Sequence, residues 1–442
     1  MAAATVEVAE GVTSDLDIFA PIIQQTCIKN EYSREYNPLA SIQPGAPIEF
    51  IVKGADLLYL DMRTTKITVH AKITKADGAN IVANTAGPVN LALHSLFREV
   101  TLELNGRPIN EPNQLYPYRA YMETVLNYCE DVQKNRLLTE GWVKDTAGKM
   151  SDTNVAGENT GLKERTSWFA LSATVELCGR LHLDLFQQPR VICPGVDAHI
   201  KLVPSSNEFF VKSAAPAQGA QQEKFKVVIE KVVLNIGTKE LISDAALAHT
   251  AILEQGKSAL IPHQRVQVKH FSIPQNTTSY NFENVFTDNL PDLVVVGLVA
   301  DADFCGHYNK NPFNFQNFGV TRMELKRNGV SVPRQNYTPN FTDKRYNKDY
   351  LTFQEQLGYD VDDKCVCLTP MEWANGYTFF TFKVTDGPIG SGTDGPRSKA
   401  AHGSIRLEIT LKESKDFPIK VIVYSQALGV LKIDKFKNAI VE

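Results

Sequence analysis

Nine histidines and seven cysteines are the side chains from which a metal centre or a nucleophile would be drawn, and their spacing builds neither. The chain has no His-Glu-x-x-His and no cysteine–histidine spacing of a zinc site. His70, His182 and His199 fall inside stretches that read as strands, where an imidazole is a packed or surface side chain. Cys365-x-Cys367 stands beside Asp360, Asp362 and Asp363, but two thiols this close on a loop make a weak donor set. The cysteines at 27, 129, 178, 193, 305, 365 and 367 are odd in number and scattered, as reduced core thiols are. GPIGSGTDG, at 387–395, lacks the lysine and following hydroxyl of a phosphate loop, and Gly-x-Ser-x-Gly is absent. The pairs Asp301/Asp303 and Asp360/Asp362 lie too close along the chain to face one another across a glycoside cleft. No catalytic, metal-binding or cofactor-binding residue is therefore assigned, and an enzyme is not expected.

The aromatic residues carry more information. Tyr116, Tyr118, Arg119 and Tyr121, together with Asn311, Phe313 and Phe315 in NPFNF, read either as core packing or as a subunit interface, where Tyr, Phe and Arg are enriched. The first group belongs to a strand–turn–helix at 93–128. Val100, Leu102 and Leu104 alternate with Thr101 and Glu103, and Asn105-Gly106 supplies a tight turn. Beyond Pro117, Tyr118, Tyr121, Met122, Val125 and Leu126 recur at helical spacing. A weaker copy follows 223 positions later: Met323 and Leu325 lead into Asn328-Gly329, and then come Tyr346, Tyr350, Phe353, Leu357 and Tyr359. Near the same offset, Phe50 pairs with Phe271, 67–73 with 293–299, Gly179 with Gly403, and 200–205 with 419–425. This reads as an internally duplicated all-β unit with an inserted helix.

A chain of 442 residues exceeds what one core sustains, in keeping with two units. The division expected is an arm at 1–44, a first unit at 45–237, a connecting helix at 238–261, a second unit at 262–434 and a tail at 435–442. A strand is expected at 168–173, and exposed loops at 145–165 and 387–403. Many short strands with frequent turn signals point to two tandem eight-stranded jelly rolls, all-β apart from the inserted helices. The net charge of −4, without a basic tail, disfavours direct nucleic-acid binding. The longest apolar run, 293–300, is too short to span a bilayer, and the opening residues MAAATVEVAEGVTSDLD have no secretory pattern. Cytosolic synthesis is expected, with the sequons at Asn276, Asn336 and Asn340 unused.

Four blocks, LHSLFREVTLELNG, YPYRAYMETVLNY, VVVGLVADADFCGHYNKNPFNF and KVIVYSQALGVLKIDKFKN, resemble the double jelly-roll major capsid proteins of Polinton (Maverick) elements and adintoviruses. The resemblance covers about residues 19–440. It implies a virion structural protein: a hexon-like homotrimer forming pseudo-hexagonal capsomers of an icosahedral shell around double-stranded DNA. Neighbouring capsomers and penton or minor capsid proteins are the implied partners, without sequence-specific nucleic-acid binding and without a membrane span. Assembly in the host nucleus is implied as well. A single-jelly-roll vertex protein fits the duplication less well, and a β-sandwich carbohydrate-binding protein is the reading from another class.

Overall fold

Side-chain alternation builds the sheets. Between Leu58 and Lys75, Ile67, Val69, Ala71 and Ile73 are fully buried while Thr68, His70 and Lys72 lie half-exposed on the other face. The computed structural model describes residues 24–55, 57–216, 218–287, 289–359, 365–385 and 402–441. The first half of the chain forms β1 (Ile28–Tyr36), β2 (Ile48–Val52), β3 (Leu58–Lys75), β4 (Ala86–Pro88), β5 (Phe97–Leu104), β6 (Arg107–Pro108), β7 (Val175–Gly179), β8 (Ala198–Pro204), β9 (Val211–Ser213) and β10 (Phe225–Leu241). The second forms β11 (Ala259–Ile273), β12 (Ser279–Phe286), β13 (Leu293–Ala300), β14 (Val320–Arg327), β15 (Val330–Tyr337), β16 (Phe379–Lys383), β17 (Ile405–Leu411), β18 (Ile419–Ile433) and β19 (Ala439–Val441).

The antiparallel sheets run β1-β10-β3-β7 and β2-β8-β5-β6 in the first half, and β11-β18-β13-β16 and β12-β17-β14-β15 in the second. Replacing each strand of the first pair by its counterpart reproduces the second pair, eight strands for eight. Each half is a jelly roll, and the chain is a double jelly roll. A short β4-β9 sheet is added to the first, and β19 extends the second by pairing with β18.

The two Asn-Gly turns occupy the same place in each unit, joining β5 to β6 and β14 to β15. Asn105 (φ 48°) and Gly106 (φ 73°), like Asn328 (φ 50°) and Gly329 (φ 83°), take the left-handed conformations that a two-residue hairpin demands. Both asparagines also clamp the approach to the strand alongside. Asn105 N–H donates to the Asp197 carbonyl at 2.9 Å and its Oδ1 accepts from Asp197 N–H at 2.8 Å. Asn328 repeats this with Ser404 at 3.1 and 2.9 Å. Of the other offset pairs, 67–73 and 293–299 fall on equivalent strands, β3 and β13. The remaining three do not: Phe50 is in β2 but Phe271 in β11, 179–186 belongs with β7 but 403–411 with β17, and 200–205 lies on β8 but 419–425 on β18. The insertion between β6 and β7 is much longer than that between β15 and β16, so a constant offset selects the wrong strand beyond it; Phe50 and Phe271 precede both insertions, and there the offset fails because β3 has 18 residues and β13 only 8.

Four further expectations change. Ile28–Tyr36, assigned to an arm, is the edge strand β1, registered from Ile28↔Leu241 to Tyr36↔Leu234. Part of the expected tail is β19. The expected strand at 168–173 is the end of helix Thr160–Trp168 and a 3-10 turn, Ala170–Ser172. The connecting helix, Ser243–Glu254, begins after β10 has run to Leu241 and buries only Ala246 and Leu253. Most of the arm (1–23) and most of the 387–403 loop lie outside the described residues, as do Asp360, Asp362 and Asp363.

Removing β1 bares the edge of β10, a strand of 17 residues. A chain beginning at residue 38 should therefore melt at lower temperature and aggregate on heating, whereas one beginning at residue 24 should keep its midpoint. Equal midpoints in scanning calorimetry would show that β1 contributes nothing to the sheet's stability.

Candidate functional site at the interdomain interface

Helix Tyr116–Asn127 is buried all round: every residue from Tyr116 to Leu126 is withdrawn from solvent. A helix with no exposed face needs apolar or paired neighbours on every side, and here the second jelly roll supplies them. The Tyr121 ring stacks on Phe313 with centroids 4.3 Å apart and planes 11° from parallel, and Tyr118 stacks on Phe304 at 5.4 Å. Phe315 lies 5.8 Å from Tyr121 and 4.6 Å from Phe379 of β16. Gly297 of β13 makes room for it, since a Cβ there would lie 2.5 Å from the Phe315 ring. With this wall on one side and the sandwich core on the other, the residues of β13 from Leu293 to Val299 are all buried.

Tyr116, Tyr118, Arg119, Tyr121, Asn311, Phe313 and Phe315, the sequence's candidates for a subunit interface, are each at most 7% exposed within one chain. They are brought together, but between the chain's own two jelly rolls, and this burial leaves them no surface to offer a second subunit. Asn311 donates to the Met150 carbonyl at 3.0 Å, tying NPFNF to the first unit's insertion.

Beneath the aromatic wall lies a charged centre. Arg119 donates through Nε to Glu123 at 2.9 Å and through a terminal nitrogen to Asp184 at 2.7 Å. Glu123 also accepts from His182 Nδ1 at 2.6 Å, from Gln187 at 2.9 Å and from the Tyr424 hydroxyl of β18 at 3.4 Å. Asp184 accepts from the Val266 N–H of β11 at 3.3 Å. Two strands of the second jelly roll thus bond to carboxylates of the first. Burial by itself would push the Glu123 carboxyl up; Arg119 and the hydrogen bond from His182 outweigh it and bring it to about 2. His182, expected within a strand, lies on the loop beyond β7, which ends at Gly179.

The 145–165 segment, expected to be an exposed loop, holds a second buried arginine. Arg165 bonds Asp145 at 2.8 Å and the carbonyls of Val143 and Pro88 at 2.6 and 3.3 Å. Of the segment's polar residues, Asp145, Thr153, Asn159 and Arg165 are buried, while Lys149, Ser151, Asn154, Glu158, Lys163 and Glu164 are exposed as expected. Tyr377 of the second unit donates to the Asp145 carbonyl at 2.8 Å, and Gly148 N–H to Asn375 at 2.8 Å. Lys212 completes the seam. It is 2% exposed and donates to the carbonyls of Glu208 and His307 at 2.9 and 3.0 Å; burial lowers its ammonium to about 7. Sequence reasoning missed Glu123, Asp184, Arg165 and Lys212. The one available signal was Arg119 and Glu123 at i, i+4 on a helix otherwise rich in apolar and aromatic residues.

The fold and this seam define a double jelly-roll protein whose two units form one body. Solved structures that match this fold include chains of viruses. A chain of the Sputnik virophage solved by cryo-EM matches with TM-score 0.66 and 13% identity, covering 100% of this chain and 94% of that one. The mavirus major capsid protein matches with TM-score 0.54 and 12% identity over 99% and 96% of the two chains. The Faustovirus major capsid protein gives 0.55 and 8% over 93% and 92%. At these identities the likeness is one of fold. In sequence, the chain is 24% identical to an uncharacterized protein of Caenorhabditis elegans, F54H12.2, over 95% of its own length and 98% of that protein's. No family model matches the chain. Among the described residues, no helix is long and apolar enough to cross a membrane.

Glu123 has a folded pKa below its unfolded value, so its contribution to stability is complete above about pH 4.5 and is lost as pH falls toward about 2. Glu123→Gln leaves Arg119 with one carboxylate and should cost about 3–5 kcal/mol at neutral pH. Thermal unfolding between pH 4.5 and 2 should also lose part of its pH dependence in the variant. Phe313→Ala, emptying a fully buried site, should cost about 3–5 kcal/mol as well. A loss below about 1 kcal/mol in urea titration would mean that the aromatic wall is not close-packed.

Proposed function

We propose that this chain is a major capsid protein, the repeating shell subunit of an icosahedral particle of the Polinton or adintovirus kind, with a structural rather than a catalytic role. The observation that carries the reading is the repetition of one eight-stranded topology twice in a chain, with the halves fastened by a buried seam. Three such chains around a three-fold axis present six similar lobes, so one gene product fills a hexagonal lattice position. A rigid join is what the arrangement requires, because lobes that swung independently could not hold a lattice angle. The agreement in fold with the mavirus and Faustovirus major capsid proteins supports the same reading. The shell would enclose double-stranded DNA, meet penton and minor capsid proteins at its vertices, and be assembled in the nucleus from subunits made in the cytosol.

Because Tyr116, Tyr118, Tyr121, Phe313 and Phe315 are buried inside the chain, contacts between subunits fall to side chains exposed on a single chain. Met371 is 66% exposed, Leu351 57% and Phe436 73%.

Light scattering on purified protein should give three 49.1 kDa chains, 3 × 49.1 or about 147 kDa, and negative-stain images should show triangular or hexagonal particles. The mass should persist at high salt, since apolar contacts are not screened. A folded monomer at micromolar concentration would overturn the proposal, and pentameric rings would assign the chain to the vertex instead.

A further inference from the structure

The charged centre has a second compartment, joined to Arg119 through Glu123 and His182. His94, in the turn of helix Ala92–Ser95, Glu140, closing the 3-10 turn Arg136–Glu140, and His182, on the loop after β7, each direct one ligand atom into a space where all three lie within 4.8 Å of one another. None is more than 6% exposed. His94 Nε2 is 3.2 Å from Glu140 Oε2, and the two imidazole centroids are 4.6 Å apart.

The outer nitrogens of both rings are already engaged. His182 Nδ1 lies 2.6 Å from the Glu123 carboxylate, which can only accept, so this nitrogen carries a proton and Nε2 is the atom left to face a metal. His94 Nδ1 lies 2.9 Å from the Tyr116 hydroxyl. A carboxylate or hydroxyl on the far nitrogen is the arrangement that orients metal-binding histidines and sets their tautomer.

Charge gives an independent reason. The connected cluster contains the carboxylates of Glu123, Asp184 and Glu140 and one guanidinium, Arg119, which already serves two of them. Among the described residues no lysine or arginine pairs directly with Glu140, whose ion-pair partner is His94. Three carboxylates thus share one guanidinium, a formal balance of −2 before the histidines are counted, and uncompensated buried charge is costly. One divalent ion cancels it.

We propose that His94, His182 and Glu140 form a structural site for one divalent transition-metal ion of the zinc class, tying three segments of the first jelly roll together beneath helix Tyr116–Asn127. Two imidazoles favour zinc-class ions over calcium or magnesium, which take oxygen ligands. A bidentate Glu140 completes four donor atoms. Burial leaves no path for a substrate, so the ion's work is to hold segments together. Without it the same side chains form a chain of hydrogen bonds, with Tyr116 donating to His94 and His94 to Glu140.

The test is metal analysis of the full-length chain purified without chelator, followed by stripping and titration with Zn2+ and Co2+. The expected result is one zinc-class ion per chain, a melting temperature that falls on stripping and recovers with Zn2+, and the visible absorption of four-coordinate Co2+. Glu140→Gln and His182→Asn should abolish all three. A folded wild type that holds no metal and does not respond to Zn2+ would overturn the proposal, as would an ion retained by either variant. If a variant does not fold, X-ray absorption at the zinc edge of the wild type decides. Scattering from two imidazoles supports the site; a sulfur shell places the ion on the free cysteines instead and refutes it.

Discussion

A guanidinium withdrawn from water is tolerable only when its donors meet fixed acceptors, and Arg119 meets this condition by engaging two carboxylates at once. Those carboxylates are in turn held by the second jelly roll, Glu123 by Tyr424 and Asp184 by the Val266 N–H. The centre is therefore satisfied only while the two units stay in register. An apolar seam alone would permit small slips, since dispersion and burial have little directional preference. The charged centre adds direction: displacing β18 relative to helix Tyr116–Asn127 removes a partner from a buried carboxylate. Aromatic packing supplies area, and the ion pairs supply register.

Much of the fold was legible in the sequence because half-buried strands write their alternation plainly. The strand–turn–helix at 93–128 and the double jelly-roll architecture were both readable, since Asn-Gly and a two-residue period are local signals. What failed was what depends on the length of distant segments. Three of the block pairs placed by a fixed offset belong to different strands, because the two insertions, and β3 and β13 before them, differ in length and alternation alone does not tell one strand from its neighbour. β1 escaped because seven of its nine residues are exposed and the two at its ends are half-buried, without an apolar stripe, and only its pairing with β10 makes it a strand.

The site was half legible. Aromatic composition marked Tyr118, Tyr121, Phe313 and Phe315 as either core packing or a subunit interface; they pack between the two units of one chain, and the sequence could not say which partner surface they meet. The buried charges were less visible. Asp145, Asn159 and Arg165 sit among glycines, serines and threonines, and such a stretch reads as a solvated loop until the tertiary structure shows which of its polar groups face inward. Polarity in a sequence records a need for hydrogen bonds, not their source. For Asp145, Asn159 and Arg165, protein groups meet that need.

The double burial of β13 bears on how the chain is made. β3, its counterpart, alternates, whereas β13 is apolar on both faces because the aromatic wall covers the second one. As the polypeptide leaves the ribosome, helix Tyr116–Asn127 emerges with Arg119 and its ring of tyrosines long before residues 259–433 exist to cover them. The nascent first half must carry an exposed sticky face through roughly half of translation, the kind of surface that chaperones bind. Fusing two lobes into one gene product secures their one-to-one ratio, and it makes the yield of the folded chain depend on the folding capacity of the cell that translates it.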